Sequence, residues 1–155
     1  MSKRIKSLIF PVVLVAGLAV FVLTGRNSAT GAEYTFDGEP EIVAATFSSA
    51  WCSTCKILKP RLAKIIPEFS DKPVKFVELD FTLGQRTDIA DQAAAEGLGE
   101  IYPRFEGATG FTLLVDKDTG KIVDMLTINH NERAMRAAIA QSIAVASRAD
   151  TAPSE

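Results

Sequence analysis

Two cysteines, one histidine and one tryptophan are all that this 155-residue chain carries of the residue types that most often mark a site. So few cysteines exclude a disulfide framework as the source of the fold. A single histidine, His130, beside two thiols falls short of the four ligands zinc usually takes, leaving only a site shared by two chains as a metal or iron–sulfur alternative. There are no internal repeats, no low-complexity tracts and no flavin or nicotinamide signature. A positive surplus is missing as well. Of the 17 basic groups, four (Lys3, Arg4, Lys6, Arg26) lie in residues 1–26, leaving 13 against 19 acidic groups beyond them, a net of −6. An acidic domain of this kind carries no electrostatic footprint for nucleic acid.

Long apolar runs are scarce too, with one exception. Residues 8–23 hold no charge, and Thr24 and Gly25 extend them to the edge of what a membrane-spanning helix needs, about 17–25 residues. A soluble buried helix would show a polar face, and this segment has none. Two readings stay open: an uncleaved anchor, or a signal peptide removed near Thr30-Gly31-Ala32. Segment length, and Arg26-Asn27 between the run and that site, favour the anchor. Three basic residues precede the run and one follows it, so the head is expected in the cytoplasm and the rest of the chain outside. In a Gram-negative cell the domain then faces the periplasm from the inner membrane, or is free in the periplasm if the segment is cleaved; disulfides persist there. The expected organisation is an anchor or signal over 1–26, a polar linker over 27–40, a domain over 41–147 and a disordered tail over 148–155.

The two cysteines stand three apart in Phe47-Ser48-Ser49-Ala50-Trp51-Cys52-Ser53-Thr54-Cys55-Lys56. An apolar segment, residues 41–47, precedes them and reads as a strand. Leu58, Leu62, Ile65 or Ile66, and Phe69 follow at helical spacing, predicting a helix over 52–69. Cys52 is expected near its N-cap and Cys55 about one turn in, on a shared face where the sulfurs can meet. The partial positive charge of a helix N-terminus favours a thiolate at Cys52. A structural crosslink is the competing reading, but a bridge closing so short a loop constrains the unfolded chain little. The dithiol/disulfide reading is therefore preferred.

Further elements are expected as strands over 74–80, 111–116 and 121–128 and helices over 87–96 and 131–147, with a short edge strand at Tyr34-Thr35-Phe36. Thr87 caps the second helix, Gly97 ends it, and Asn129 or Asn131 caps the last. Asp116 to Gly120 is turn chemistry between two strands. A βαβ unit, a hairpin and a final helix give an α/β fold with a mixed sheet and helices on both faces.

Trp51-Cys52-x-x-Cys55-Lys56, Pro60 five residues beyond the second cysteine, Asp80 at the end of the next strand and the late hairpin resemble the thioredoxin superfamily. The resemblance covers about residues 41–147, with the first strand and helix of full-length thioredoxins missing or reduced. Together with the N-terminal segment, the chain is similar to membrane-anchored bacterial thiol–disulfide oxidoreductases. The resemblance implies a three-layer α/β/α fold, Cys52 as nucleophile, Cys55 as resolving thiol, protein thiols and disulfides as partners, a protein electron donor or acceptor, and no cofactor or metal. Trp51 is expected as a lid over the disulfide, and Lys56 as a helix-face lysine that can also support the thiolate.

Three departures qualify this. The stretch Thr109-Gly110-Phe111 stands where the family has a cis proline, so a trans bond is expected, with Gly110 admitting close approach to Cys52. Thr46 stands where the family has a buried aspartate, so Glu78 and Asp80 become the candidate bases. Residues 82–110 form a longer connection, in which Ile101 to Phe105 is read as a packed loop rather than a partner surface. Ser53-Thr54 between the cysteines lacks proline and leaves the direction of electron flow open, with a lean to reduction. A second hypothesis follows from these departures: a binding module with reduced turnover that holds a partner protein or a metal.

Overall fold

The computed structural model describes residues 36–84 and 87–150. The basic head, the apolar segment, Tyr34 and Thr35 of the expected edge strand and the last five residues lie outside them; Phe36 is in no strand. Among the described residues no helix is long and apolar enough to cross a membrane.

The chain runs β1 (Ile42–Ser48), α1 (Cys55–Ile65), a 3-10 turn (Ile66–Phe69), β2 (Val74–Asp80), α2 (Thr87–Ala95), a four-residue α3 (Tyr102–Phe105), β3 (Phe111–Asp116), β4 (Ile122–Leu126) and α4 (Glu132–Asp150). The sheet order is β2-β1-β3-β4. β1 pairs parallel with β2 and antiparallel with β3, and β3 pairs antiparallel with β4. This mixed sheet is the one expected. β1 is central and buried on both faces, which is why its sequence runs apolar instead of alternating.

Each face carries its own core. Ile42, Ala44 and Leu114 pack against Leu58, Leu62 and Ile65 of α1 and Met135 and Ile139 of α4. Val43, Ala45, Phe47, Leu113 and Val115 pack on the other face against Ile89 and Ala93 of α2 and Ile101 and Tyr102 around α3. The result is an α/β/α sandwich in which β1 fixes the position of everything that follows it.

Several boundaries differ from expectation for identifiable reasons. The helix read over 52–69 starts at Cys55, with Thr54 as its N-cap, and turns 3-10 at Ile66. Residues 49–52 form a turn closed by Cys52 N–H to the Ser49 carbonyl at 3.2 Å, so Cys52 lies two residues ahead of the cap, and Cys55, expected about one turn in, is the first helical residue. Pro67 at the start of the 3-10 turn has no N–H to continue the α pattern. α2 ends at Ala95 through Gly97, whose φ of 77° places it in the left-handed region. Leu98 N–H then reaches Ala93 O at 2.8 Å and Gly97 N–H reaches Ala94 O at 3.1 Å, a Schellman ending. Asn131 caps α4 by accepting from Ala134 N–H at 2.9 Å. α4 continues to Asp150, so residues 148–150, expected in a disordered tail, are helical; Arg148 Nε donates to Ala144 O at 2.9 Å.

Residues 101–105, expected as a loop, contain the short helix α3. Tyr102 stacks on Phe81 and Phe105 packs on both Phe47 and Phe111. The segment is packing, as anticipated. His130 is half-buried: its Nδ1 accepts from Thr127 N–H at 3.2 Å, while its carbonyl accepts from Arg61.

Candidate functional site: a disulfide at the mouth of the first helix

Cys52 and Cys55 form a disulfide with Cα atoms 5.2 Å apart. The two sulfurs stand in opposite surroundings. Cys52 is half-buried, and its Sγ receives the backbone N–H of Cys55 at 3.1 Å and faces the Thr54 hydroxyl at 3.1 Å. A disulfide sulfur has no hydrogen, so the hydroxyl is the donor. Cys55 is 2% exposed, and its Sγ lies 4.0 Å from the Phe47 carbonyl oxygen. In the disulfide that approach is a contact only; once reduced, a thiol there has an acceptor in front of it.

Donors around one sulfur and an acceptor beside the other decide which carries charge after reduction. Hydrogen bonds to a charged form favour it, and burial opposes it. In the reduced pair these surroundings favour the charge on Cys52 over Cys55. The cap of α1 adds to this, because the first free N–H of the helix, that of Cys55, is satisfied by sulfur.

Gly110 is where the close approach occurs. Its N–H extends the β1–β3 ladder by donating to Phe47 O at 2.8 Å, and its φ is 102°. A Cβ at this position would lie 3.4 Å from Cys52 Sγ and 2.2 Å from Thr54 Oγ1. Among the described residues no peptide bond is cis, as expected for a sequence without proline at this place. Thr109 is half-buried beside Gly110. Phe111 opens β3 and points into the second core, stacked on Phe47 with centroids 5.0 Å apart.

Trp51 is not a lid. It is 82% exposed, held by a hydrogen bond from Nε1 to Thr82 O at 3.2 Å. Thr82 Oγ1 also accepts the Ala50 N–H at 2.9 Å, and Asp80 fixes Thr82 through its backbone N–H and its hydroxyl. Asp80 thus serves as an anchor for the loop that presents Trp51. Leu83, next along, is 76% exposed. Lys56 is exposed on the first turn of α1.

At the position lacking an aspartate, Thr46 Oγ1 bonds Thr112 Oγ1 across the sheet at 2.8 Å. Glu78, opposite Thr46 in the β1–β2 register, accepts from the buried Ser48 hydroxyl and from Lys59 Nζ, both at 2.5 Å. Among the described residues there is no cluster of three or more His, Cys, Asp and Glu able to hold a metal ion. Sequence reasoning placed both cysteines and Gly110 together and did not single out Thr54, Thr82 or Ser48. Thr54 carried a signal: a hydroxyl residue directly before the helix, where capping residues belong.

A pair of thiols so arranged can exchange with a second disulfide, which is thiol–disulfide oxidoreductase chemistry. Solved structures similar to this chain include the thioredoxin of Malassezia sympodialis, 22% identical, covering 68% of this chain and 78% of its own, with a TM-score of 0.42. StoA from Bacillus subtilis is 15% identical over 66% of this chain and 84% of its own, with a TM-score of 0.45. Mitochondrial thioredoxin 3 from Saccharomyces cerevisiae, in its oxidised form, is 24% identical over 66% and 79%, with a TM-score of 0.41. Scores at this level carry no assignment, and no curated protein matches the chain. The assignment comes from a family model, Thioredoxin, which matches residues 37–127. That match takes in more than half of the chain and spans the described elements from β1 through β4, and the chain belongs to the thioredoxin family.

Proposed function

We propose that this protein exchanges electrons with protein partners through Cys52 and Cys55, held at the outer face of a membrane by residues 8–25. The unlike surroundings of the two sulfurs carry this reading. In the reducing direction the Cys52 thiolate attacks a partner disulfide, forming a Cys52–partner bond and expelling the second partner sulfur as a thiolate. Cys55 then gives up its proton and attacks Cys52 Sγ, releasing the first partner sulfur and closing the Cys52–Cys55 bond. Two electrons pass to the partner, whose thiolates take up protons. The reverse sequence oxidises a partner dithiol, and a protein donor or acceptor restores the starting state.

The reading is tested with the full chain and a protein disulfide, using dithiothreitol as electron source. Reduction faster than by dithiothreitol alone is expected, with Cys52→Ser inactive, and Cys55→Ser, pre-reduced and freed of dithiothreitol, holding the partner as a mixed disulfide. A rate equal to free dithiol would favour a module that holds its partner without turning it over. Anchoring is supported by the apolar run and the basic residues ahead of it. The chain is expected to stay with membranes through alkaline extraction, with the 41–150 region open to protease added outside; release into the soluble fraction would mean a cleaved segment.

A further inference from the structure

From Leu98 to Gly110 the chain has almost no free run. Ile101 N–H and Tyr102 N–H both close on Leu98 O, at 3.0 and 2.8 Å, and Arg104 N–H closes on Ile101 O at 3.0 Å, which builds α3. Ile101 and Tyr102 anchor it in the second core, with Tyr102 stacked on Phe81. A type II turn follows: Glu106 has φ −54° and ψ 124°, Gly107 has φ 76°, and Ala108 N–H donates to Phe105 O at 2.9 Å. Thr109 alone separates that turn from Gly110. Phe105, where the helix meets the turn, is half-buried. Its ring meets Phe47 at 6.0 Å and Phe111 at 5.6 Å, tilted by 59° and 54°, within the range aromatic pairs favour. Those two residues carry the backbone of the site. Phe47 O receives Gly110 N–H and lies 4.0 Å from Cys55 Sγ, and Phe111 directly follows Gly110.

We propose that Phe105 is a positioning residue for exchange with protein disulfides: it holds Thr109 and Gly110 as a fixed rim beside Cys52, against which the partner packs. The inference rests on the exchange chemistry proposed above. A Cβ built on Gly110 would stand 3.4 Å from Cys52 Sγ, so a polypeptide reaching that sulfur meets this backbone. A glycine at φ 102° has more conformational freedom to lose than any other residue, and its N–H bond to Phe47 O is a single tether. The Phe105 ring adds to it by packing on the acceptor residue and on the residue that follows the glycine. A partner that meets a rim already in place orders less of the interface on binding, and this appears as affinity. A small thiol needs only the sulfur. A dithiothreitol thiolate bonds to Cys52 Sγ, and the electron pair of the Cys52–Cys55 bond leaves on Cys55. The second dithiothreitol thiol loses its proton, displaces Cys52 as a thiolate and closes the oxidised ring. That route makes no use of the rim.

The test uses the full chain as wild type, Phe105→Ala and Phe69→Leu, the last a control that thins the first core on the opposite face of the sheet. Insulin serves as the protein disulfide, with dithiothreitol as electron source. Phe105→Ala is expected to raise the KM for insulin about tenfold with kcat near wild type. Reduction of its Cys52–Cys55 bond by dithiothreitol alone should keep the wild-type rate. The Gly110 amide should exchange its hydrogen faster, measured against that of Leu114 in the same chain. Phe69→Leu should lower the unfolding midpoint and leave KM and the Gly110 amide where they were. Should alanine not fold, Phe105→Leu reads the same quantities with a smaller change. An unmoved KM or an unmoved Gly110 amide in the folded variant overturns the proposal. So does a Phe69→Leu chain with the same rise in KM, or an equal loss on insulin and dithiothreitol. A wild type no faster than dithiothreitol alone overturns the exchange reading and this inference together. An active wild type whose KM survives the loss of the ring overturns this inference alone.

Discussion

The carbonyl of Phe47 receives the N–H of Gly110 at 2.8 Å and lies 4.0 Å from Cys55 Sγ, so one atom of the central strand holds both halves of the site. A proline cannot take Gly110's position. It has no N–H for Phe47, and its φ is fixed near −65° against the 102° found. Gly110→Pro is expected to destabilise the chain by on the order of 3 kcal/mol. Urea unfolding measures this, and a variant as stable as wild type would show that residues 109–111 rearrange freely.

Thr46 and Thr112 form a closed buried pair, so each hydroxyl depends on the other. Thr46→Val or Thr112→Val alone leaves a buried hydroxyl unpaired, a loss of about 1–3 kcal/mol. The double valine variant removes both polar groups at nearly constant shape and is expected to return most of that loss. A double-mutant cycle from unfolding midpoints decides the matter. Simple additivity would mean that the pair is not a unit.

How far these features could be read from the sequence follows from how local their causes are. The strands at 42–48, 74–80 and 111–116 lie within a residue or two of where apolar runs and turn residues put them, because those signals sit inside the elements. Gly97 and Asn131 announced their helix ends for the same reason. The helix starts three residues later than apolar spacing suggests because residues 49–52 close a turn on Ser49, a backbone closure no periodicity records. Nothing in the sequence beside Trp51 marks the indole as exposed. Its exposure depends on Thr82 and Asp80, some thirty residues away. Thr54 was passed over since its role depends on Gly110, which only the β1–β3 pairing brings near.

Trp51 stands in the open beside the disulfide, so its truncation should leave the fold alone and affect only what docks there. Trp51→Ala is expected to change stability by less than about 0.5 kcal/mol. Its rate with a protein disulfide should fall about tenfold, the scale of losing an interface aromatic. Its rate with oxidised glutathione should stay near wild type. Equal losses on both substrates would place the indole's effect on Cys52 itself and not on partner contact.

Two ion pairs fasten α4 to α1 and to the 3-10 turn that follows it. Arg136 grips Glu68 of the 3-10 turn through three hydrogen bonds of 2.7–3.0 Å, and Lys64 of α1 bonds Glu132 at 2.8 Å. The hydrogen bond from Arg136 holds the Glu68 carboxyl below its ordinary range, and that from Lys64 does the same for Glu132. Each folded-state value lies under the unfolded one, so the unfolded chain binds more protons across the interval between them. The stabilisation is then complete above the ordinary glutamate range and is lost as pH falls through the depressed values. Exposure and salt keep it small at neutral pH. Unfolding midpoints of the wild type are expected to fall on acidification, and more gently in Glu68→Gln/Glu132→Gln, with the two chains converging at the acid end. Parallel curves for the two proteins would remove both carboxylates from the account.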